Sequence, residues 1–177
     1  LQAGSLPQQF FPRADRNQFE IELALADDSA LSRTHRLSEA VDVFLREHPD
    51  VVGTAWRLGG SFPSVYYNLV MTEDRRDAYA HGIVTVRDAD SATRLIPAFQ
   101  HELAERFPEA RVIVSAFGQG PPFEAPVVFR LVGPRPETLR RLGDEVRLAL
   151  HEDPSVIATE ATIVGGNRKL VFHPDED

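Results

Sequence analysis

The chain has 177 residues, a formal net charge of -8 and no cysteine. This acidic balance argues against a nucleic-acid surface, which needs clustered Lys and Arg, and against docking on anionic lipid headgroups. The absence of Cys excludes disulfides and thiolate sites, and no apolar run approaches the roughly 20 residues that span a bilayer. Because the sequence has neither an initiator Met nor a signal-like segment, we expect it to be a piece of a longer protein.

Two different spacings of apolar residues indicate the first strand and the first helix. From Gln18, apolar residues alternate with Glu20 and Glu22, which predicts a half-buried strand. After an Asp-Asp-Ser break, apolar residues recur at helical spacing, with Ser32 as the candidate cap and Pro49 as the stop. The inward face of this helix is predicted to carry Leu37, Ala40, Val41, Phe44 and Leu45.

The region after the first helix is the hardest to interpret. Residues 51–58 predict a second strand, which ends at Gly59 and Gly60. Residues 61–80 show no clean period, and we interpret them as an extended excursion with a short strand at 65–70.

Regular patterns return at 82–87, where a third strand is predicted. Ser91 is the candidate cap of a second helix, Pro97 is expected to delay or kink its first turn, and Pro108 closes it. A fourth strand is predicted at 111–117. The face of the second helix is predicted to carry Leu95, Ile96, Phe99, Leu103 and Phe107.

Beyond a Gly-Gln-Gly-Pro-Pro boundary, the pattern begins again. A strand is predicted at 127–132, followed by a third helix with Pro136 near its first position and Pro154 at its end. Further strands are predicted at 156–164 and 169–172. The side chains of the third helix that are expected to point inward are those of Leu139, Leu142, Val146 and Leu150.

The order of these elements predicts an α+β fold. Two strand–helix–strand units in tandem, βαββαβ, give the ferredoxin-like split βαβ architecture. The helix–proline–strand step at residues 45–52 is echoed at 150–157, and this repeat supports a second, truncated βαββ subdomain. The predicted organisation is a lead-in at 1–17, a complete ferredoxin-like subdomain at 18–118, a linker at 119–126 and a partial subdomain at 127–177.

The titratable residues indicate no reaction centre. His101 lies at helical spacing from Glu102 and Glu105, and His35 lies four residues before Glu39. Exposed helix pairs explain both arrangements better than a metal site does. No serine lies in a nucleophile-elbow context and no acid–base pair stands out, so we expect no catalytic activity, no metal and no cofactor.

Aromatic residues cluster in the segment after the second strand, where Phe62, Tyr66, Tyr67 and Tyr79 lie between Gly and Pro residues. Two interpretations stay open. The rings could cover the edge of the sheet, or they could form an aromatic wall for apolar ligands, because rings offer area without demanding polar partners.

Three segments carry a resemblance to a known family. They are Leu-Pro-Gln-Gln-Phe-Phe-Pro at 6–12, the strand and small-residue turn at 23–31, and Gly-Gln-Gly-Pro-Pro at 118–122. With them the chain resembles the second large periplasmic loop of resistance-nodulation-division (RND) multidrug efflux transporters, of the hydrophobe/amphiphile branch. The resemblance covers essentially the whole chain. It departs at 26–28, where the family commonly has a Leu-Pro-Gly-type turn, and at Pro97.

The resemblance implies a periplasmic porter-domain fragment of a proton-driven antiporter in the bacterial inner membrane. Such a fragment lines the cleft through which drugs or amphiphiles enter. The implied substrate-binding residues are Phe62, Tyr66, Tyr67, Ile113, Ser115 and Phe117. The implied flexible loop comprises Gly59, Gly60, Ser61 and Pro63. The implied partners are the other subdomains of the same transporter in a homotrimer, a periplasmic adaptor, an outer-membrane channel and apolar or amphiphilic substrates.

A function of another class fits the same fold. A free-standing ferredoxin-like regulatory module that binds a small molecule would place its sheets side by side as a dimer. Flanking apolar runs of about 20 residues would indicate the transporter, and an attached catalytic or DNA-binding domain would indicate the module.

Overall fold

The structure is a computed structural model that describes residues 15–66, 69, 71, 73–118, 127–153 and 155–161. Along this described part the elements are β1 (Gln18–Ala24), α1 (Leu31–Arg46), β2 (Val51–Leu58), β3 (Tyr79–Val86), α2 (Ala89–Arg106), β4 (Arg111–Ala116) and α3 (Pro136–His151). The strands form one antiparallel sheet in the order β2-β3-β1-β4. In each strand–helix–strand unit one strand of the other unit lies between the two, which confirms the predicted α+β, ferredoxin-like fold class.

Strand β1 lies inside the sheet and sets the character of both faces. It pairs with β3 on one side and with β4 on the other. Because successive side chains of a strand point to opposite faces, Phe19, Ile21 and Leu23 share one face while Glu20 and Glu22 share the other. The three apolar side chains are completely buried.

Both long helices of the ferredoxin-like unit pack on the apolar face. The ring of Phe99 on α2 lies 6.2 Å from that of Phe19 on β1 and 6.1 Å from that of Phe44 on α1. One ring thus joins the sheet to both helices, which places the helices side by side. Phe44 is half-buried, and the other predicted inward residues of these helices except Ala40 are buried, namely Leu37, Val41, Leu45, Leu95, Ile96, Phe99, Leu103 and Phe107.

The starts of the two helices differ from the prediction. Helix α1 begins after Ala30, with no side-chain cap, so the candidate cap Ser32 lies inside its first turn. Helix α2 is capped by Asp88, whose carboxylate accepts a hydrogen bond from the backbone N–H of Ser91 at 2.7 Å. Ser91 is therefore the third residue of the helix and not its cap. An Asp at this position satisfies an N–H group that has no partner within the helix.

Helix α2 continues through Pro97, which lies two turns inside it and not in its first turn as expected. A proline there removes the hydrogen bond to the carbonyl four residues earlier, which belongs to Thr93. Pro97 and Thr93 are both exposed, so water can reach the carbonyl that loses its partner. The position of Pro97 on the outer face of the helix therefore limits its cost.

Strand assignments after β2 also need correction. Strand β3 begins at Tyr79, three residues before the predicted start, because its first residues pair with the ends of β1 and β2. Of the short strand predicted at 65–70, the described residues Val65, Tyr66 and Leu69 are not in a strand, and the rest lie outside the described residues.

The C-terminal part contains the predicted third helix, with Pro136 at its first position. The strand predicted at 127–132 is wrong, since these residues are exposed and belong to no sheet. Residues 156–161, which are partly buried, likewise belong to no sheet, and the remainder of that predicted strand and the one at 169–172 lie outside the described residues. A strand needs a hydrogen-bonded neighbour, and no backbone ladder joins either segment to a described strand. The extent of a second subdomain stays a prediction.

Within the part of the chain that the structure describes, no helix has the length and apolar character needed to cross a membrane.

Candidate functional site

The face of the sheet opposite the helices is lined by polar side chains. We call it the helix-free face and define it by Glu20, Glu22, Tyr79, His81, Ile83, Ile113 and Ser115. Its acidic residues come from β1, while the strands on either side supply an imidazole, a phenol and a hydroxyl. The same alternation that buries the apolar residues of β1 under the helices therefore brings ionisable groups together on the other side.

His81 is deeply buried on this face, with 3% of the residue exposed. Its Nε2 lies 3.2 Å from Oε2 of Glu20, and its Nδ1 accepts a hydrogen bond from the backbone N–H of Phe62 at 3.1 Å. An Nδ1 that accepts a hydrogen bond cannot carry a proton. The neutral imidazole therefore has its proton on Nε2, from which it donates to Glu20.

Two further hydrogen bonds satisfy the carboxylates of β1. The hydroxyl of Ser115 donates to Oε1 of Glu20 at 3.2 Å, and the phenol of Tyr79 donates to Oε2 of Glu22 at 3.0 Å. Burial raises the pKa of Glu22, and the hydrogen bond from Tyr79 opposes this rise. Burial, followed by the negative charge of Glu22, raises the pKa of the Tyr79 phenol well above its ordinary value. Tyr79 is therefore a hydrogen-bond donor at any physiological pH.

Between β2 and β3 the structure describes residues 59–66 and 73–78, and the rings of Phe62 and Tyr66 lie against the helix-free face; we call these described residues the covering loop. The N–H of Gly59 donates to the carbonyl of Tyr79 at 2.8 Å, with a φ of +74° that favours glycine. Ser61 is buried, its N–H donates to the carbonyl of Glu73 at 2.9 Å, and its hydroxyl accepts from the N–H of Glu73 at 3.1 Å. Arg76 pairs with Glu73 and, at 2.8 Å, with Asp27 outside the loop.

Aromatic rings of the covering loop lie against residues of the sheet. The ring of Phe62 meets that of His81 edge to face, with centroids 5.5 Å apart. The ring of Tyr66 lies 5.2 Å from that of Phe117, and the guanidinium of Arg16 lies 4.8 Å from the centroid of Tyr66. Stacked and edge-to-face contacts of this kind favour one arrangement of the loop on the sheet.

The structure brings most of the predicted substrate-binding residues together on this side of the sheet. Phe62 and Tyr66 reach it from the covering loop, while Ile113, Ser115 and Phe117 reach it from β4 and its end. Tyr67 lies outside the described residues. Their role in binding substrate stays a prediction.

The residues predicted to form a flexible loop differ among themselves. Gly59 and Ser61 are held by the hydrogen bonds described above, and Gly60 is buried and bridges Asp74 and Ala80. Pro63 is exposed. The predicted mobility of this segment stays untested, and the hydrogen bonds define what would have to break for it to move.

Two cavities are present elsewhere in the described structure. One, of about 260 Å³, is lined by Leu25, Arg33, Arg36, Leu37, Ala40, Phe107 and Glu109. The other, of about 70 Å³, is lined by Asp15, Arg16, Gln18, Ala89, Ala92, Thr93, Ile96 and Ala116. None of the described residues predicted to bind substrate lines either cavity.

The sequence pattern did not indicate that Glu20, Glu22 and His81 form a site. The strict alternation of β1 did place both acidic residues on one face, but their partners come from distant parts of the chain. The exposed helix pairs were predicted correctly, since His35 lies 3.6 Å from Glu39 and His101 lies 3.5 Å from Glu105. Among the described residues, no three His, Cys, Asp or Glu side chains are grouped so as to hold a metal ion.

No protein-family model and no curated protein matches the chain. Among solved structures, the chain is similar to the X-ray crystal structure of a heavy metal efflux pump, with a TM-score of 0.47 and 15% sequence identity. The similarity covers 60% of this chain and 11% of that one, so the chain spans a small part of the length of that pump.

Proposed function

We propose that the chain is a porter-domain fragment of an RND-type, proton-driven efflux transporter, and that its helix-free face borders the cleft through which substrates enter. The proposal starts from the three segments that resemble the family, at 6–12, 23–31 and 118–122. The ferredoxin-like strand order agrees with the fold that this resemblance implies. Transport itself would be carried out by the whole protein, of which this chain would be one part.

One observation carries the proposal. Phe62 and Tyr66, which the resemblance assigns to the cleft, lie on the helix-free face together with Phe117 and Ser115. Phe62 and Tyr66 are only half-buried, so part of each ring is available to a ligand. Exposed aromatic area binds apolar molecules without requiring that their polar groups be matched.

The wider assembly follows as part of the same proposal. The segment would lie in the periplasm, in a homotrimeric inner-membrane protein that works with a periplasmic adaptor and an outer-membrane channel. We assign the hydrophobe/amphiphile branch because the three segments at 6–12, 23–31 and 118–122 resemble that branch, and because Phe62, Tyr66 and Phe117 add aromatic area beside the polar side chains of the face. Apolar and amphiphilic substrates match that chemistry.

The test compares the same substitution on the two faces of the sheet. In the full-length parent protein, Phe62→Leu removes an aromatic ring from the helix-free face, and Phe44→Leu removes one from the helix-covered face. Export of a fluorescent amphiphile is measured in cells that lack their other efflux pumps, with and without a proton uncoupler. We expect Phe62→Leu to reduce uncoupler-sensitive export several-fold, and Phe44→Leu to leave export per molecule of transporter unchanged.

Immunoblots of membrane fractions correct both variants for protein level. Equal losses of export per molecule in the two variants would argue against a role for the helix-free face. A parent protein that expels no amphiphile and shows no uncoupler-sensitive transport would refute the transporter proposal. Specific binding of a small metabolite by a soluble parent protein would instead support the regulatory module.

A further inference from the structure

We infer that the outer edge of β4 is an interface for a second copy of this chain, and that Gln100 keeps it closed: the side-chain amide of Gln100 occupies the backbone groups that would join β4 to β4 of the other copy. This holds whether or not the chain belongs to a transporter, because it concerns the edge of the sheet and not what the helix-free face binds. Two hydrogen bonds between α2 and β4 carry it.

The side-chain amide of Gln100 reaches from α2 to the backbone of β4. Its Nε2 donates to the carbonyl of Val112 at 3.0 Å, and its Oε1 accepts from the N–H of Val114 at 2.7 Å. One amide thus satisfies an acceptor and a donor of the strand, as the backbone of a neighbouring strand would. Gln100 therefore takes the place of a strand at this position.

Strand β4 lies at one end of the sheet, since its one strand neighbour among the described residues is β1. Backbone groups of successive residues in a strand point to opposite sides, so the N–H and C=O groups of Val112 and Val114 all point away from β1. Unpaired groups at such an edge pair readily with another chain, and natural proteins commonly block them. The amide of Gln100 blocks one acceptor and one donor of this edge.

The two groups that Gln100 occupies are each other's partners in a symmetric pair of strands. When two copies of β4 lie antiparallel with Ile113 opposite Ile113 of the second copy, Val112 lies opposite Val114 of the second copy. The carbonyl of Val112 then accepts from the N–H of Val114 of the other copy, and symmetry forms the same bond twice. The edge is therefore complementary to itself, which identifies a second copy as the partner that it fits.

The charges along the edge agree with this register. It places Arg111 of one copy opposite Ser115 of the other, and Ser115 lies beside Glu20 in the register of β1 and β4. Opposite charges of the two copies therefore approach each other twice. The present partner of Arg111 is Glu160, which is 59% exposed, so this ion pair is weak enough to be exchanged. In the native chain the bonds of Gln100 prevail, because an intramolecular contact avoids the loss of freedom that association costs.

The experiment uses disulfide cross-linking in the 177-residue chain, which contains no native Cys. Ile113→Cys places two thiols opposite each other at the symmetry axis, where the Cα atoms of a non-hydrogen-bonded pair lie about 4.5 Å apart, within the range of a disulfide. The rate of dimer formation under mild oxidation is measured with and without Gln100→Met. Methionine matches glutamine in length and helix propensity but makes neither hydrogen bond. We expect Gln100→Met to raise the rate about tenfold or more, because it frees both backbone groups for pairing.

Three controls separate pairing at this edge from other causes of association. Val52→Cys lies at an exposed position of β2, at the opposite end of the sheet, and its cross-linking should not respond to Gln100→Met. His101→Met introduces the same side chain at an exposed position of α2 and should leave the cross-linking of Ile113→Cys unchanged. Gln100→Lys removes the acceptor for the N–H of Val114 but adds a charge at the edge, so it should cross-link less than Gln100→Met does.

Equal rates of cross-linking for Ile113→Cys with and without Gln100→Met would overturn the inference. Equal gains for Val52→Cys and Ile113→Cys would also overturn it, because they would indicate general association. If Gln100→Met does not fold, hydrogen exchange of the native chain decides. Protection of the Val114 amide that is the same at low and high protein concentration supports closure by Gln100, whereas an unprotected amide or protection that rises with concentration rejects it.

Discussion

The two faces of the ferredoxin-like sheet bury side chains of opposite character. On the helix-covered face, Phe19, Phe99 and Leu103 are almost completely enclosed by other apolar groups. On the helix-free face, His81 is enclosed to the same degree, but its two ring nitrogens contact a carboxylate and a backbone N–H. Equal burial therefore has different consequences, because apolar burial is favourable by itself and polar burial is tolerated only with partners.

The two faces separate the contribution of apolar packing to stability from that of hydrogen bonds between titratable groups. Packing on the helix-covered face depends on shape and volume, neither of which changes with pH. Hydrogen bonds on the helix-free face depend on which atoms carry protons. Substitutions under the helices should therefore cause large losses of stability that do not depend on pH, and substitutions on the other face should cause smaller changes that do.

The largest expected effect is that of Phe99→Ala. This residue is 2% exposed and its ring contacts Phe19 and Phe44, so its loss leaves a cavity among three elements. We expect the free energy of unfolding to fall by about 3–5 kcal/mol. Urea denaturation measures it, with Val43→Ala on the exposed side of α1 as the control, where the change should stay below about 0.5 kcal/mol. Similar losses in both variants would contradict the assigned helix-covered face.

The next effect tests a close approach on the same face. A Cβ at Gly82 would lie 2.7 Å from the ring of Trp56, whose Nε1 donates to Asp42 on α1 at 3.0 Å. Because the hydrogen bond to Asp42 restrains the ring, we expect Gly82→Ala to lower stability by about 1–3 kcal/mol. The fluorescence of Trp56, which is the only Trp of the chain, reports the displacement of its ring.

Gly53→Ala is the matched control, since nothing lies within 4 Å of its added Cβ. Its stability should change by less than about 0.5 kcal/mol. If Gly82→Ala changed the stability as little as Gly53→Ala does, the result would contradict the packing of the Trp56 ring against Gly82.

A smaller effect, with a defined pH dependence, is expected on the helix-free face. Burial raises the pKa of Glu22, so the folded state binds this proton more readily than the unfolded chain does. The stability that this stronger proton binding contributes is present at pH values below the ordinary glutamate pKa of 4.5. It is lost as the pH rises through the raised pKa of Glu22. Glu22→Gln carries no charge and can still accept from Tyr79, so it should be more stable than the native chain at neutral pH.

The difference between Glu22→Gln and the native chain should shrink as the pH falls toward 4.5. Thermal unfolding at several pH values measures it. Glu39→Gln, at an exposed helix position, should show no such convergence. A native chain more stable than Glu22→Gln at neutral pH would mean that the ionised carboxylate is stabilising, contrary to the direction expected from burial.

The smallest effect is expected for Glu160→Gln. Glu160 pairs with Arg111 of β4 at 2.6 Å, but its side chain is 59% exposed. Exposed ion pairs contribute less than about 1 kcal/mol and are screened by salt, so the change in stability should be slight at low salt and absent at high salt. A large loss of stability that persists at high salt would show that this ion pair stabilises the fold more than its exposure indicates.

Much of the ferredoxin-like unit was predictable from local patterns. Strand β2 spans the predicted residues 51–58, and the apolar set of β1 is buried as its alternation predicted. The strands predicted at 127–132 and 156–161 show the limit of this reasoning. Apolar alternation indicates that a segment suits a sheet, but a strand forms only where a neighbour is present to pair with it.

The candidate site was predictable only in part. Aromatic residues near Phe62 and Tyr66 attracted attention because loops rarely contain so many rings. Which surface they would cover could not be read from the segment itself, since its period is irregular. The sequence did not single out His81, because nothing in its immediate sequence indicates burial.

Within the ferredoxin-like unit, residues 18–116, the sequence by itself determined the helices and strands, their order and which side of each faced the core, because these follow from spacings of two to four residues. Only the tertiary structure decided the contacts of the helix-free face. Glu20 and His81 are 61 residues apart in the chain, and Ser115 lies 95 residues from Glu20. Their meeting depends on strand order and register, and the position of Phe62 depends on how the covering loop returns across the sheet. Such contacts follow from the packing of the whole unit, which no local pattern contains.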